Sequence, residues 1–182
     1  MEWLSDEVIN GALKLIAEED PFSVMLGEGL PNEQTKTVII NSFYFESLKR
    51  RGMGGVSKWM RAPEFKKVDI LVFPLFQNSH WSMCSVYLKT RGAILCDSLR
   101  PFHKEAAAIL LSHSDIDFVI YDLSTVQQKN GNDCGVFALY FIACFVFQKP
   151  QNRQIPIPDM FFSHVRHLAS TKFSHEQDSS LD

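Results

Sequence analysis

The chain is poor in the features that mark exported, membrane-spanning and disulfide-rich proteins. It has four cysteines and no C-x-x-C pair, so the spacing gives neither a zinc site nor a disulfide framework, and we expect free thiols. The longest apolar run, residues 134–147, falls short of the roughly 20 residues that cross a bilayer. Near the start, Glu2, Asp6 and Glu7 stand where a secretory signal would have a basic region and an apolar run. We therefore expect no membrane partner and a reducing compartment, the nucleus or the cytoplasm.

The chain also lacks a large excess of either positive or negative charge. The 18 basic and 21 acidic residues leave a net charge of −3 and are not gathered into long blocks. This distribution does not indicate a nucleic-acid surface, so we expect no nucleic-acid partner. With 182 residues, 46% of them hydrophobic and 12% aromatic, the chain can bury a real core. We expect one monomeric domain over residues 1–169 and a polar, disordered tail over residues 170–182.

Hydrophobic periodicity predicts both helices and strands, which places the chain in the α+β class. Helical spacing predicts helices at 5–19, from a cap at Asn41 or Ser42 to the glycines at 52–55, at 105–111, at 134–147 and after a cap at Asp159. Compact or alternating apolar runs predict strands at 68–73, 80–88, 93–96 and 117–121, with 38–40 as a strand or an extended lead-in. Residues 20–31 are predicted as a turn-rich connection. Pro74 is expected to end the strand at 68–73, and a tight turn at 89–92 predicts an antiparallel hairpin.

Cys134 begins the most apolar of the predicted helices. Because that helix is apolar on every side, we expect it to be buried in the middle of the domain. At a helix N-terminus, unpaired N–H groups and the positive end of the helix dipole favour a thiolate over a thiol. Cys134 is therefore the candidate nucleophile. Cysteine is also among the residue types that are most often simply buried, so its position alone does not decide the matter.

A cysteine nucleophile needs a histidine to take its proton and an acceptor to orient that histidine. His80 lies at the mouth of a predicted central strand, whereas the five other histidines, among them His103, are expected to serve on the surface or in packing. Asp97 ends the next strand, so an antiparallel hairpin would set it beside His80. The ordinary alternatives are a sheet-edge histidine for His80 and a turn residue for Asp97.

An oxyanion would also need hydrogen-bond donors. Gln128 lies six residues before Cys134, and the turn between them could fold its side-chain amide back to the cysteine. Together with the backbone N–H of Cys134, this amide would make a two-donor oxyanion hole. A glutamine in a polar loop is usually just solvated, and Gln127 is an equally available neighbour.

Five segments follow one another in a set order: Trp3-Leu4-Ser5-Asp6-Glu7-Val8-Ile9-Asn10, Gly54-Gly55-Val56-Ser57-Lys58-Trp59 with Val68-Asp69-Ile70-Leu71-Val72-Phe73-Pro74, His80-Trp81, Asp97-Ser98, and Gln127-Gln128-x-Asn130-Gly131-x-Asp133-Cys134-Gly135. In this order they resemble the Ulp/sentrin-specific protease family, papain-like cysteine proteases that act on SUMO and related ubiquitin-like modifiers. The resemblance covers nearly the whole chain. It implies an α+β papain-like fold of the Ulp/adenain type, in which helices flank a central, mostly antiparallel sheet and the catalytic cysteine starts a buried helix.

The resemblance also implies a role for each candidate residue. Cys134 would be the nucleophile, His80 the general base and later acid, Asp97 the residue that orients His80, and Gln128 the oxyanion donor. No metal or organic cofactor is implied.

Three further positions match residues that contact the modifier in the family. Trp3 and Trp81 would wall a narrow tunnel over a Gly-Gly tail, since only glycines are thin enough to pass between two indoles. Asp6 would help to bind the modifier through a basic residue, although the helix dipole alone explains an aspartate in a first turn. Either tryptophan could instead be an ordinary core or surface aromatic.

We therefore expect a cysteine protease that hydrolyses the peptide or isopeptide bond after the Gly-Gly tail of SUMO or a related ubiquitin-like modifier, in conjugates, precursors or both. One alternative is a viral- or transposon-type processing protease. Another is an inactive domain that binds a modifier without cutting it, against which the complete set of candidate residues argues. Acyl transfer by a related fold is disfavoured by the paired tryptophans, which suit a peptide tail.

Overall fold

The computed structural model describes residues 3–57, 65, 67–99, 103–113, 117–123 and 125–147. The predicted helix after Asp159, the domain boundary at 169 and the polar tail lie outside the described residues. Within this part, the elements in chain order are α1 Asp6–Glu18, β1 Ser23–Met25, β2 Thr37–Ile39, α2 Phe43–Val56, β3 Ile70–Gln77, β4 His80–Tyr87, β5 Gly92–Cys96, α3 Lys104–Ser112, β6 Val119–Leu123 and α4 Cys134–Val146.

The described strands form one sheet in the order β1-β2-β3-β4-β5-β6. Its centre, β3-β4-β5, is antiparallel, as the tight turns on either side of β4 require. The outer pairings, β1-β2, β2-β3 and β5-β6, are parallel. The sheet is therefore mixed, whereas the resemblance implies a mostly antiparallel one. The physical reason is that α2 joins β2 to β3 and α3 joins β5 to β6, and a helical crossover returns the chain in the same direction.

β3 continues through Pro74, so the prediction that this proline ends the strand is wrong. On β3, Ile70 and Val72 direct their backbone polar groups towards β2, where they bond to Lys36 and Ile40. Pro74 is two residues beyond Val72, so its backbone faces the same edge of β3 as that of Ile70 and Val72. β2, however, pairs with β3 only as far as Val72. The missing N–H of Pro74 therefore points past the end of β2, where the ladder needs no donor.

Two hydrophobic clusters cover the two faces of the sheet. On one face α1 and α4 pack together with the Trp81 and Met83 side of β4. On the other, α2 and α3 pack with the Cys84 and Val86 side of the same strand. The alternation predicted for β4 is thus confirmed, although both of its faces are buried. α4 thus packs between α1 and β4. Its first residue, Cys134, lies beside His80, the first residue of β4.

Local capping and turn signals account for most of the element ends. Ser5 caps α1 and accepts a hydrogen bond from the backbone N–H of Val8, as predicted. α2 is predicted to end in the glycines at 52–55, and it continues to Val56 with a kink at Gly52. The φ of Gly52 is 58°, in the left-handed region that favours glycine. β1 lies in the segment predicted as a turn-rich connection. Among the helices that the structure describes, none combines the length and the hydropathy needed to cross a bilayer.

Candidate active site

His80 and Asp97 form a buried pair at one end of the central strands. His80 is the first residue of β4, and Asp97 follows the last residue of β5, just beyond the Met83 and Cys96 pair of the ladder. The imidazole Nε2 lies 2.7 Å from the carboxylate Oδ1, and both side chains are almost completely buried. The hairpin thus brings together the two residues that the sequence pattern pairs.

Backbone donors fix the Asp97 carboxylate. Oδ1 also accepts a hydrogen bond of 2.9 Å from the N–H of Leu99, and Oδ2 accepts one of 3.0 Å from the N–H of His103. Burial raises the pKa of the Asp97 carboxyl, but the bonds from His80 and these two N–H groups outweigh burial and hold the pKa below its ordinary value. Asp97 is therefore a charged acceptor that is ready to bind an imidazolium.

The protonated form of His80 is favoured by the groups around it. Burial lowers its pKa, but hydrogen bonds to Asp97 and to the Cys134 thiol, with the charges of both partners, raise it to about 9. Because Asp97 holds Nε2, Nδ1 is the nitrogen left to exchange a proton with Cys134. The arrangement can therefore hold an imidazolium beside the sulfur.

Cys134 is the first residue of α4 and only 1% exposed. A turn organised by Asn130 delivers it: the Asn130 Oδ1 accepts from the N–H of Asn132 and of Asp133, at 3.3 Å and 3.1 Å. Asp133 occupies the N-cap position, but its carboxylate accepts a 2.6 Å bond from the Asn130 amide and does not cap the helix. The Asp133 carboxylate thus does not bond to the first N–H groups of α4. N–H groups at a helix start are donors that an oxyanion can accept from.

The structure distinguishes the two neighbouring glutamines. Gln128 is buried, and its Oε1 accepts a 2.6 Å hydrogen bond from the Ser98 hydroxyl while its Nε2 donates to the Asn130 carbonyl at 2.6 Å. Gln127 is exposed, and its amide donates to the Asp97 carbonyl oxygen at 2.9 Å. Only Gln128 thus turns its side chain into the interior beside the Asn130 turn.

The two candidate tunnel tryptophans have very different surroundings. Trp81 is 1% exposed, packs against Phe76 with ring centroids 4.6 Å apart, and donates from Nε1 to the Leu4 carbonyl at 3.1 Å. Trp3 is 47% exposed. The Leu4 side chain lies against Gly135, where an added Cβ would come within 3.1 Å of it. The segment that carries Trp3 is therefore seated on the start of α4, next to Cys134.

Asp6 makes a structural contact that the sequence pattern did not predict. Its Oδ1 accepts a 2.5 Å hydrogen bond from the hydroxyl of Ser42, the residue before α2. Asn10 bonds to both the hydroxyl and the backbone N–H of Ser42, at 3.0 Å and 2.9 Å. Asp6 therefore ties the start of α1 to the start of α2.

His103 belongs to the site, which sequence reasoning missed. It is buried, its ring packs edge-on to His80 with centroids 4.7 Å apart, and its Nε2 donates to the Gln77 carbonyl at 2.9 Å. Nδ1 then accepts from the Ser82 hydroxyl at 2.6 Å. Burial and the charge of His80 hold the pKa of His103 below its ordinary value, so the ring is neutral. The only available signal was its place six residues after Asp97, at the start of a helix.

By proximity, His80, Asp97 and His103 could offer three ligand atoms to a metal ion, since these atoms lie within 4.8 Å of one another. The same atoms already have protein partners, however. Both nitrogens of His103 and both oxygens of Asp97 take part in hydrogen bonds. The cluster is therefore accounted for as a hydrogen-bond network.

Comparisons with known proteins agree with this geometry. The model of the Ulp1 protease family, C-terminal catalytic domain, matches residues 2–175. Sentrin-specific protease 5 of Homo sapiens is 27% identical over 161 residues, which cover 81% of this chain and 20% of that protein. The chain spans 20% to 26% of the length of the sentrin-specific proteases 3 and 5 that it matches.

Two solved structures share the fold. One is the C-terminal Ulp1 protease domain in complex with Smt3, the yeast ortholog of SUMO, with a TM-score of 0.66 and 25% identity over 82% of this chain and 68% of that chain. The other is the effector XopD of Xanthomonas campestris bound to ubiquitin, with a TM-score of 0.70 over 91% of each chain; at 16% identity it shows the fold alone. The α+β fold of the Ulp type is thus confirmed. The chain belongs to the Ulp1 protease family.

Proposed function

We propose that the chain is a cysteine peptidase that hydrolyses the bond after the Gly-Gly tail of SUMO or a related ubiquitin-like modifier, either a peptide bond in a precursor or an isopeptide bond in a conjugate. The observation that carries the proposal is the buried His80 and Asp97 pair, with the Cys134 thiol hydrogen bonded to His80 at the start of α4. This is the constellation that an activated thiol nucleophile needs.

The proposed reaction has two steps that use the same side chains. The Cys134 sulfur, having passed its proton to His80, attacks the carbonyl carbon of the terminal glycine, and the imidazolium gives that proton to the leaving amine. This leaves a thioester on Cys134. His80 then takes a proton from water, the water oxygen attacks the thioester, and the sulfur leaves with the proton. Asp97 keeps His80 oriented and stabilises its charged form throughout.

An oxyanion forms in both steps and needs donors in place before the reaction. We assign this role to the backbone N–H of Cys134 and the side-chain amide of Gln128. The assignment is supported by the burial of Gln128 and by the Asp133 side chain, which makes no cap hydrogen bond to the N–H groups at the start of α4. Loss of one such donor typically lowers the rate on the order of 10² to 10³-fold.

Selection of the tail is assigned to the two tryptophans. Trp81 is fixed between Phe76 and the Leu4 carbonyl, while Trp3 is exposed and directly precedes Leu4, whose side chain lies against the start of α4. A diglycine tail suits such a contact because glycine adds no side-chain bulk between aromatic rings. Asp6 is assigned to a basic residue of the modifier, since a carboxylate keeps acceptor positions besides the one that Ser42 occupies.

SUMO is the first modifier to test, because the Ulp1 domain that shares the fold was solved with Smt3, the yeast ortholog of SUMO. We further propose that the chain acts as a monomer in the nucleus or the cytoplasm. The compartment is supported by its four cysteines, none of which forms a disulfide, as expected in a reducing environment.

The test is covalent capture with SUMO, ubiquitin and other ubiquitin-like proteins that carry a C-terminal propargyl amide. We expect one modifier class to label the chain, and the label to disappear in Cys134→Ala. Cys144→Ala, which changes a cysteine further along the same helix, should label as the unmodified chain does. If iodoacetamide alkylates Cys134 while no modifier labels it, the thiol is competent but the proposed substrate is wrong, and the reading as a processing protease for other sites replaces it.

A further inference from the structure

We infer that Ser98 is a positioning residue that holds the oxygen end of the Gln128 amide in place and so decides whether the oxyanion meets a donor. This inference rests on the proposed function, because it gives Gln128 the oxyanion role. It extends that function to a residue that has no contact with the cysteine or the histidine among the bonds described above.

The amide orientation follows from what surrounds its two ends. One end of the Gln128 side chain lies 2.6 Å from the Asn130 carbonyl oxygen, and a carbonyl can only accept. That end must therefore be the nitrogen, which donates. The other end, the oxygen, lies 2.6 Å from the Ser98 hydroxyl, which must then be the donor. Ser98 and Gln128 are both buried, so water does not replace either partner at low cost.

Fixing the oxygen end has a direct consequence for the reaction. The side-chain nitrogen carries two hydrogens, and the Asn130 carbonyl uses one of them. The second hydrogen is the donor that an oxyanion can use. Without the Ser98 hydroxyl, the Gln128 oxygen would be a buried acceptor with one partner fewer. The amide would then be held only at its nitrogen end, by Asn130, and no longer kept in line with the developing negative charge. The Asn130 carbonyl therefore selects which end of the amide donates, and the Ser98 hydroxyl holds that donor in place.

Ser98 also holds the main chain of the same segment. Its carbonyl oxygen accepts a 3.0 Å bond from the backbone N–H of Gln128. Since Ser98 directly follows Asp97, two neighbouring residues support both the acceptor of His80 and the amide of Gln128. A test must therefore separate an effect through Gln128 from an effect through Asp97.

The first measurement is a double-mutant cycle with Ser98→Ala, Gln128→Ala and the combined variant, on a fluorogenic SUMO whose C-terminal glycine carries an amide-linked dye. We expect Ser98→Ala to lower kcat on the order of tenfold with KM nearly unchanged, the rate equivalent of one net hydrogen bond. In the Gln128→Ala background, Ser98→Ala should cost nothing further. Ser98→Thr, which keeps the hydroxyl, should retain most of the kcat, and Ser112→Ala, at an exposed serine in α3, is the control for serine removal. Additive losses in the cycle, or an equal loss in Ser98→Thr, would overturn the inference.

The second measurement is the rate of Cys134 alkylation by iodoacetamide as a function of pH. Alkylation builds no oxyanion, so Ser98→Ala should leave this profile where it is. A displaced profile would mean that Ser98 acts through Asp97 and His80, and the inference would be wrong.

A third readout does not depend on turnover. The side-chain ¹⁵N amide signals of Gln128 should shift, and their hydrogens should exchange faster, in Ser98→Ala and not in Ser112→Ala. If the unmodified chain fails to cleave SUMO, the proposed function fails while this measurement still decides the role of Ser98. Unchanged Gln128 signals in a folded Ser98→Ala chain would refute that role. If Ser98→Ala does not fold, Ser98→Cys, whose thiol is a weaker donor, must shift the same Gln128 signals by a smaller amount.

Discussion

Replacing Asp97 by asparagine removes one charge from the candidate site and almost no volume. In the structure its carboxylate lies 2.7 Å from Nε2 of His80, whose pKa is raised from 6.5 to about 9. Burial opposes this rise, and the bonds to Asp97 and Cys134 produce it. At about 1.4 kcal/mol per pH unit, the net rise corresponds to about 3 kcal/mol in favour of the imidazolium, after Asp97 and Cys134 have offset the opposing effect of burial.

The consequence is a pH profile with a displaced alkaline limb. Acylation needs the imidazolium as a proton donor to the leaving amine, so kcat/KM of the unmodified chain should fall only as the pH rises through about 9. In Asp97→Asn the limb should move down towards 6.5, the ordinary value for histidine. If Asp97 supplies most of the rise, the imidazolium fraction, and kcat/KM with it, should fall only about fourfold at pH 7 but about 10²-fold at pH 9. The assay is cleavage of the fluorogenic SUMO amide over the range of about pH 5 to 10.

Asp117→Asn is the matched control, because it makes the same chemical change at an exposed aspartate. It should leave both the limb and the rate unchanged. Thermal unfolding of both variants separates a loss of charge from a loss of fold. An alkaline limb that stays at about 9 in a folded Asp97→Asn chain would show that Asp97 does not hold the proton on His80, and the reasoning would be refuted.

Three other outcomes follow from the contacts. Gly135→Ala places a Cβ within 3.1 Å of the Leu4 side chain, so we expect a loss of roughly 1 to 3 kcal/mol in the free energy of unfolding, measured in urea. His103→Ala removes the ring that anchors the N–H donor to Asp97, so the alkaline limb of kcat/KM should move down while labelling by iodoacetamide persists; an unmoved limb would contradict this. Because the pKa of His80 is raised, the stability that its protonation contributes is complete below pH 6.5 and is lost as the pH rises through about 9. The urea concentration at the midpoint of unfolding should therefore fall between pH 6.5 and about 9 in the unmodified chain, and it should change less over this range in His80→Gln.

Local pattern predicted the elements whose signals are local. The apolar run at 134–147 became α4, and the alternation at 80–88 became β4, with each end within one residue. The hairpin between β4 and β5 was readable too, because a tight turn fixes its register. The proximity of His80 and Asp97 follows from that register, which is why this pair could be predicted from one sequence.

Features that depend on distant neighbours could not be predicted in this way. Pro74 is tolerated inside β3 only because β2 stops short of it, and nothing near position 74 in the sequence states where β2 ends. β1 has three residues, too few for a periodic signal, and its partner β2 arrives after a long loop. The parallel outer pairings depend on where α2 and α3 return the chain.

The burial and the hydrogen bonds of polar side chains could not be predicted from local pattern either. His103 was expected on the surface or in packing, and it is packed; what the sequence did not indicate is that both of its ring nitrogens are bonded, to Ser82 and to Gln77. These partners are 21 and 26 residues away in the chain. A polar side chain is buried only where such partners exist, and they are assembled by the sheet.

The Asp97 backbone and the Gln128 segment behave as one unit because of where their hydrogen bonds lead. The Asp97 carbonyl oxygen accepts from the Thr125 hydroxyl at 2.7 Å and from the Gln127 amide at 2.9 Å, and Ser98 bonds Gln128 through both its main chain and its hydroxyl. The residue that orients His80 is thus bound to the segment that carries the candidate oxyanion donor. A group held on all sides has little reorganisation left to do when charge develops, which is how fixed dipoles and donors lower a barrier. Substitutions of Thr125 and Gln127 should therefore be non-additive in kcat with each other, since both side chains bond the same Asp97 carbonyl oxygen.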